Sequence, residues 1–253
     1  MTDKQHHPTE LTSSALPATV QWRTPDGTDK SGWATSALLD ANIHFALPIR
    51  TGNRYPRQRN YHGKYYFSQT RRHVWHESLL EASVLTWLDM HCTIQAITSQ
   101  PMTIMFADGL SHTPDFLALH TDHKQVVYDV KPLKFLTDKV LAQFAKTREL
   151  CESIGWGYEV HTGFTDQVRV NLDWFAAFKH PGYHPGPVAT ARLLEAMTGP
   201  MTVREAARTL GLGTLAEGRS AVYHLTFTQV LTVDLTHRIS DTTPLERNAH
   251  AHA

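Results

Sequence analysis

The stretch HTPDFLALHTDHKQVVYDVK, residues 112–131, constrains the fold more than any other part of the sequence. It predicts two short strands joined by a polar turn at residues 121–124. Because side chains alternate between the two faces of a strand, Asp129 and Lys131 are expected to point the same way. Asp115 stands at the leading end of the first strand. If the two strands pair, two carboxylates and an ammonium group meet at one end of a largely apolar sheet.

These residue types suit metal-dependent hydrolysis of a phosphodiester. Magnesium prefers oxygen ligands, usually one or two carboxylates, and keeps several of its waters. The ion polarises a phosphoryl oxygen and activates a bound water, while a nearby lysine offsets charge in the transition state. The pattern P-D…D-x-K, formed by Pro114, Asp115, Asp129 and Lys131, resembles the signature of restriction-endonuclease-like nucleases. The alternative is a surface hairpin with ordinary charges beside its turn.

A basic, aromatic stretch precedes this hairpin. Between Ala41 and His76 the chain has no Asp or Glu but seven Lys and Arg residues, interleaved with aromatic residues. Cations neutralise phosphates and aromatic rings stack on exposed bases, so we predict a DNA-facing surface. A solvated basic loop with aromatic residues packed below it is the alternative. The DNA-binding candidates are Arg54, Arg57, Arg59, Lys64, Arg71 and Arg72.

Composition excludes several other classes of protein. The formal net charge is zero, and no run of about 18 apolar residues predicts a membrane span. The first residues lack the apolar core of a secretion signal. Two cysteines, Cys92 and Cys151, predict neither a disulfide framework nor a zinc site. These features predict a protein of the bacterial cytoplasm, associated with the nucleoid when acting.

Helix and strand patterns alternate around the hairpin. Apolar residues at helical spacing predict a helix over about residues 76–91, with Glu77 and Glu81 on a neighbouring face. A second helix over about 137–154, with Leu141 among its inward residues, leads to a further strand. Strand, helix and strand in this order predict a right-handed crossover between parallel strands. The predicted fold class is α/β, a restriction-endonuclease-like mixed sheet flanked by helices.

A segment rich in Pro and Gly, HPGYHPGP at 180–187, is the predicted linker after a nuclease domain at 19–179. Three helices and a strand or hairpin then predict a small winged-helix-like C-terminal domain at 188–240. Residues 1–18 are predicted to form a disordered tail, and residues 241–253 a second tail.

The charge of the C-terminal domain bears on what it binds. Residues 187–240 contain five arginines, no lysine and four acidic residues. In a winged helix the third helix is the usual DNA reader, and Tyr223 and His224 are its candidates for that contact. The near-neutral surface slightly favours docking of a protein instead.

The order of the motifs is more specific than any single motif. NYHGKYYFSQT leads into ESLLE, SQP, HTPDF and VVYDVKP, followed by a helix and GWGYEV. Over about residues 45–165 this succession resembles the TnsA family, the endonuclease subunit of heteromeric transposases. The resemblance implies Mg²⁺-dependent cleavage of double-stranded DNA at the 5′ ends of a transposon, with Mn²⁺ as a possible substitute. It also implies two partners, a DDE-type transposase subunit and an AAA+ ATPase regulator, with the C-terminal domain as the expected contact for the ATPase.

The resemblance also assigns roles to individual residues. The catalytic residues that it implies are Glu81, Asp115, Asp129 and Lys131. The metal ligands that it implies are Asp115, Asp129, Glu81 and the carbonyl of Val130. Glu77 and Gln100 are expected to support these groups, and whether Glu77 or Glu81 is the catalytic glutamate stays open.

Two other functions remain open from the sequence. One is a stand-alone restriction or repair nuclease that shares the same core. The other is a non-catalytic DNA-binding regulator with a degenerate nuclease core. The intact set of carboxylates and lysine favours an active nuclease.

Overall fold

Six α-helices and several sheets make up the part of the chain that the computed structural model describes, residues 18–49 and 61–249. The fold is mixed α/β, which confirms the predicted class. The helices are α1 (Leu79–His91), α2 (Asp138–Ile154), α3 (Asp166–Ala176), α4 (Pro187–Ala196), α5 (Val203–Thr209) and α6 (Leu215–Phe227). The strands are β1 (Ala18–Arg23), β2 (Asp29–Trp33), β3 (Gly63–Phe67), β4 (Arg72–His76), β5 (Ile94–Ser99), β6 (Met102–Phe106), β7 (Ser111–His112), β8 (Phe116–His120), β9 (Gln125–Val130), β10 (Gly157–His161), β11 (Met201–Thr202), β12 (Leu231–Thr232) and β13 (Pro244–Arg247).

The predicted hairpin lies in a four-stranded sheet of order β10-β9-β8-β5. Strands β8 and β9 pair antiparallel, and β10 pairs parallel to β9 after the α2 crossover. Both features are as predicted. A second four-stranded sheet, of order β2-β1-β6-β7, packs its buried residues into the core on the α2 side. Strands β3 and β4 form a separate hairpin.

Both faces of the β8–β9 hairpin are buried. Leu117 and Val127 join a core with Leu150 and Cys151 of α2. Residues of the opposite parity, Phe116 among them, join a core with α1. The face that carries Asp115 and Asp129 is therefore the α2 face, and α1 approaches from the other side.

The helix ends follow from local sequence. The Oγ1 of Thr137 accepts a hydrogen bond from the N–H of Val140 at the start of α2, and Gly155 ends α2 with φ of 98°, a conformation that suits glycine. The prediction that Leu141 points inward was wrong, because its side chain is 49% exposed. The buried positions of α2 recur at Thr147, Cys151 and Ile154, and Leu141 lies outside the i, i+3, i+4 stripe that they continue.

The C-terminal residues fold in the order α4, β11, α5, α6, β12, β13, with sheet order β11-β13-β12. Helix α6 begins earlier than about residue 219, where the sequence predicted it, because Thr214 and Glu217 form a capping box. Residues 244–247, assigned to a tail from the sequence, form the central strand β13. One buried residue, Leu245, gives no alternating pattern, so the strand arises from pairing with distant β11 and β12.

The C-terminal residues share one hydrophobic core with α3 and the end of α1. Met90, Leu172 and Phe175 lie in the same cluster as the buried residues of α4, α5 and α6. Within α6, Tyr223 is 8% exposed and His224 is 4% exposed. The suggestion that these two side chains meet DNA is therefore wrong for this conformation, since α3 and the following residues cover them.

Some predictions lie outside the described residues. They concern residues 1–17 of the predicted N-terminal tail and the DNA-binding candidates Arg54, Arg57 and Arg59. Ala18, the last residue of that predicted tail, is buried in β1. Within the described ranges, no helix is long and apolar enough to cross a membrane.

Candidate active site

Asp115 and Asp129 stand opposite each other on the β8–β9 hairpin. Phe116 pairs with Tyr128 and Leu117 with Val127, so continuation of the register by one residue brings the two aspartates together. Side chains directly opposite in an antiparallel pair have Cβ atoms about 4.5–5.5 Å apart. The hairpin therefore brings the two predicted carboxylates to the same face at one end of the sheet.

Each carboxylate is held through one oxygen. The N–H of Val130 donates to Oδ2 of Asp115 over 2.7 Å. Oδ2 of Asp129 is 2.7 Å from Nε2 of His112 and accepts a bond of 2.5 Å from the hydroxyl of Tyr158. Among the described residues, nothing hydrogen-bonds Oδ1 of either aspartate. Two fixed carboxylates thus each keep an uncommitted oxygen.

His112 and Tyr158 were missed as site residues from the sequence. His112 ends β7 and contacts the side chain of Gln143 on α2, with 2.8 Å between Nδ1 and Nε2. Tyr158 lies on β10, which pairs in parallel with β9 so that Val160 stands opposite Asp129. The signal available was parity, since Tyr158 shares a strand face with Val160. Pairing of β7 with β6 brings His112 in, and no local pattern predicts that.

The electrostatics of Asp115 are those of a crowded acidic site. Burial raises its pKa well above the usual value, and the charges of Glu81, Asp129 and Glu77 raise it further. The N–H of Val130 acts in the opposite direction. A buried carboxylate among like charges favours either a proton or a cation, so this end of the sheet is suited to a positive ion.

Glu81 does not complete a three-carboxylate group. Its Oε2 accepts the N–H of Glu77 over 2.7 Å, and its Oε1 accepts the hydroxyl of Ser78 over 2.8 Å. Ser78 in turn caps α1 by accepting the N–H of Glu81. The sequence Ser78-Leu-Leu-Glu81 is an S-x-x-E capping signal. In residues 18–49 and 61–249, no three His, Cys, Asp or Glu side chains are grouped to hold a metal ion.

Lys131 and Val130 complete the predicted set. Val130 ends β9 next to Asp129, and Lys131 follows it with its N–H bonded to the carbonyl of His161. Alternation puts the Lys131 side chain on the face of Asp129. No described residue forms a hydrogen bond or ion pair with its ammonium group. The ammonium is therefore available to a ligand at this end of the sheet.

This geometry lies inside a segment that matches a known family. Residues 91–163 match the family model described as the TnsA-like endonuclease N-terminal domain. The chain carries a TnsA-like endonuclease domain. The match includes Asp115, Asp129 and Lys131, whereas Glu77 and Glu81 precede it. No match was found among curated proteins.

Gln100 lies behind the carboxylates of the TnsA-like domain. Its N–H donates to the carbonyl of Asp115 over 2.8 Å, and its carbonyl accepts the N–H of Ile49. Its φ is 45°, a left-handed conformation that is uncommon for a residue other than glycine. Within the described chain its buried Oε1 has no hydrogen-bond partner. Gln100 thus fixes the backbone at the start of β8, as its predicted supporting role requires.

The described DNA-binding candidates lie on the β3–β4 hairpin. Lys64, Arg71 and Arg72 are exposed there. A cleft of about 660 Å³ runs along this hairpin, and its lining includes Lys64, Arg72, Trp75 and Ser99. Ser99 directly precedes Gln100, which bonds Asp115. One end of this basic, aromatic cleft is therefore close to the carboxylates.

Proposed function

We propose that this chain is the Mg²⁺-dependent DNA endonuclease subunit of a TnsA-like heteromeric transposase, and that it cuts the 5′ strands at transposon ends. The observation that carries the proposal is the cross-strand position of Asp115 and Asp129. Each has one oxygen fixed and one uncommitted, beside the unpaired ammonium of Lys131 and within a TnsA-like endonuclease domain.

The donor set fits magnesium better than a softer metal. It consists of carboxylate oxygens and the nearby carbonyl of Val130, and Mg²⁺ is usually held by one or two carboxylates together with waters and substrate phosphate. Two protein carboxylates suffice for that arrangement, so Glu81 need not be a direct ligand. The metal, when bound, supplies Lewis-acid polarisation of the phosphate and a more acidic water. Mn²⁺ has the same ligand preference and is expected to substitute.

The protein residues hold and orient the reacting groups. Hydrogen bonds from Val130, His112 and Tyr158 fix the aspartates before substrate arrives, so little reorganisation accompanies the reaction. Lys131 offsets negative charge that develops on the phosphate and orients the attacking water. Glu81, whose pKa is raised by burial, adds negative charge to the site from the N-terminus of α1.

The path of DNA follows the basic cleft. Lys64 and Arg72 line it and neutralise phosphates, and Trp75 offers an aromatic wall. Because the cleft leads from these residues to Ser99 and Gln100, a strand bound there reaches the aspartates. The masked candidates Arg54, Arg57 and Arg59 belong to the same stretch of sequence and stay candidates for DNA contact.

Partners complete the proposed activity. A DDE-type transposase subunit cuts and joins the 3′ strands, and an AAA+ ATPase regulates both enzymes. We assign the C-terminal residues to protein docking on a winged-helix-like domain. The burial of Tyr223 and His224 supports this choice, since the helix that would enter a DNA groove packs against α3 instead.

The test is cleavage of transposon-end DNA by the full-length chain with its partner subunits and Mg²⁺. Asp115→Ala should abolish cutting of the 5′ strand while the protein remains folded and assembles with its partners. The matched control is Asp122→Ala, which removes an exposed aspartate from the turn of the same hairpin and should cut normally. Cutting by Asp115→Ala at the wild-type rate would overturn the site. Cutting of arbitrary duplex DNA by the chain alone would favour a stand-alone nuclease.

A further inference from the structure

An apolar surface without a partner lies next to the catalytic lysine. Leu133 is 70% exposed, Phe135 is 53% exposed and Leu141 is 49% exposed. They stand two, four and ten residues after Lys131, on the segment that links β9 to α2 and on the first turns of α2. We call residues 133–141 the apolar segment. Three large side chains in water at one place mark a surface that something covers.

This segment is held in place by backbone hydrogen bonds. The N–H of Leu133 donates to the carbonyl of Thr162 over 3.1 Å, and that of Phe135 donates to Pro132 over 2.8 Å. Residues 133–135 form one turn of 3₁₀ helix, and Thr137 then caps α2. The side chains are therefore presented on a fixed backbone, which is the arrangement of a built contact surface.

The segment is also tied to the site itself. Gln143, one turn further along α2, contacts His112, which contacts Asp129. A duplex whose phosphate reaches the aspartates covers the surface around them, because DNA is much wider than a single phosphate. The apolar segment lies on that surface.

Charge indicates which partner covers the segment. Lys134 and Lys139 are exposed within it and Lys131 precedes it, against one acidic residue, Asp138. The Lys134 ammonium lies 5.1 Å from the centre of the Phe135 ring. Lysines around projecting apolar side chains are the combination with which proteins enter the minor groove, where apolar wedges part base steps and cations hold the flanking phosphates.

We propose that the apolar segment is a minor-groove wedge, with Leu133 and Phe135 inserted in the substrate duplex beside the cut and Lys134 and Lys139 on its phosphates. The proposal rests on the proposed nuclease function, because that function places DNA at this end of the sheet. It adds a bend in the bound duplex, since insertion of such side chains kinks DNA by about 20–90° toward the major groove.

The experiment measures binding and bending without cutting. Full-length protein is mixed, in the absence of divalent metal, with a short duplex that carries a donor and an acceptor dye at its two ends. Fluorescence anisotropy gives the affinity and energy transfer gives the bend. The variants are Leu133→Ser with Phe135→Ser, and Lys134→Ala with Lys139→Ala. The matched control is Val188→Ser, which removes an apolar side chain, 74% exposed, from distant α4.

The wild-type protein and Val188→Ser should bend the duplex and bind it equally. The double serine variant should lose the increase in energy transfer and bind about tenfold more weakly, with an unchanged salt dependence. The double alanine variant should keep the bend while its salt dependence falls by about two phosphate contacts.

Binding and bending by the double serine variant at wild-type levels would overturn the wedge. Loss of assembly with the transposase subunit, with DNA binding intact, would assign the segment to a protein partner instead. Failure of the nuclease proposal is a separate result, because it is measured by metal-dependent cutting by the Asp115→Ala variant.

Discussion

At the scale of single residues, Asp115 combines a functional position with a cost in stability. Its carboxylate is buried beside Glu81 and Asp129, and burial and these like charges raise its pKa. Folding without a cation therefore works against the charged form of this group. Active sites commonly carry this kind of strain, and its removal stabilises the fold at the expense of activity.

We therefore expect Asp115→Asn to stabilise the metal-free protein at neutral pH by about 1–2 kcal/mol, although it abolishes cutting. The amide oxygen can still accept the N–H of Val130, while the repulsion with Glu81 and Asp129 disappears. Thermal unfolding in the presence of a chelator measures the effect. Asp122→Asn, in the exposed turn of the same hairpin, is the control and should change the midpoint little. A lower midpoint for Asp115→Asn would contradict the electrostatic description of the site.

Strand parity was enough to predict that Asp115 and Asp129 share a face. It depends only on alternation and on the length of the turn at 121–124. The side chain of Glu81 was not predicted correctly, because a helical position says where the Cα lies and not whether the carboxylate turns back to cap its own helix. The S-x-x-E sequence was visible and favours the capped conformation. Val130 and Lys131 followed from the same parity, whereas His112 required knowledge of how β7 pairs.

At the scale of secondary-structure elements, a buried aspartate fastens the basic hairpin to α1. Both carboxylate oxygens of Asp89 accept the N–H of Ser68, over 3.0 and 2.9 Å, and Oδ1 accepts the Ser68 hydroxyl over 2.7 Å. Tyr65 donates to the same carboxylate, and the Lys179 ammonium lies 3.8 Å away. The β3–β4 hairpin that carries Lys64 and Arg72 is thus oriented by α1.

Asp89→Ala should destabilise the protein by about 3–5 kcal/mol, because it leaves the buried donors of Ser68 and the charge of Lys179 without their partner. Hydrogen exchange in residues 63–76 should become faster, and DNA affinity should fall with the loss of hairpin order. Exchange followed by mass spectrometry measures the local effect. Asp173→Ala, on the neighbouring helix α3, serves as a control. Unchanged exchange in the hairpin would show that Asp89 does not hold it.

The sequence predicted elements well where periodicity and caps agree. Helix α2 has both a capping Thr137 and a terminal Gly155, and its ends were placed correctly. Strand β13 was missed because four residues with one buried apolar side chain carry no period. Its existence depends on β11 and β12, which are remote in sequence. Elements of this kind are fixed by tertiary pairing and not by local propensity.

At the scale of the whole molecule, the TnsA-like domain and the C-terminal residues share a core. The ring of Tyr223 on α6 packs against Trp174 and Phe175 of α3 and against Phe178, with centroid distances of 5.6, 5.9 and 4.9 Å. Nδ1 of His224 is 2.8 Å from the carbonyl of Phe178. The Pro- and Gly-rich segment predicted as a linker begins at His180, just after this contact, and Tyr183 within it packs on Phe178. The sequence did not predict this packing, because alternation and helical period do not say which apolar faces meet.

We expect the full-length protein to unfold in one cooperative transition because of this shared core. Phe178→Ala should lower the midpoint of the whole transition, and the loss for truncation of a buried aromatic residue is about 3–5 kcal/mol. Calorimetry together with circular dichroism measures both effects, with Phe45→Ala, a half-exposed residue far from α6, as the control. Two separated transitions in the unaltered chain would contradict a shared core.

The central claim is that Asp115 and Asp129 jointly hold a hard divalent cation. Anomalous diffraction from crystals of the full-length protein soaked in Mn²⁺ tests it most directly. We predict one peak in bonding contact with the Oδ1 atoms of both aspartates and near the Val130 carbonyl, and its loss in Asp115→Ala crystals. A peak elsewhere, or none at this end of the sheet at saturating Mn²⁺, would contradict the claim.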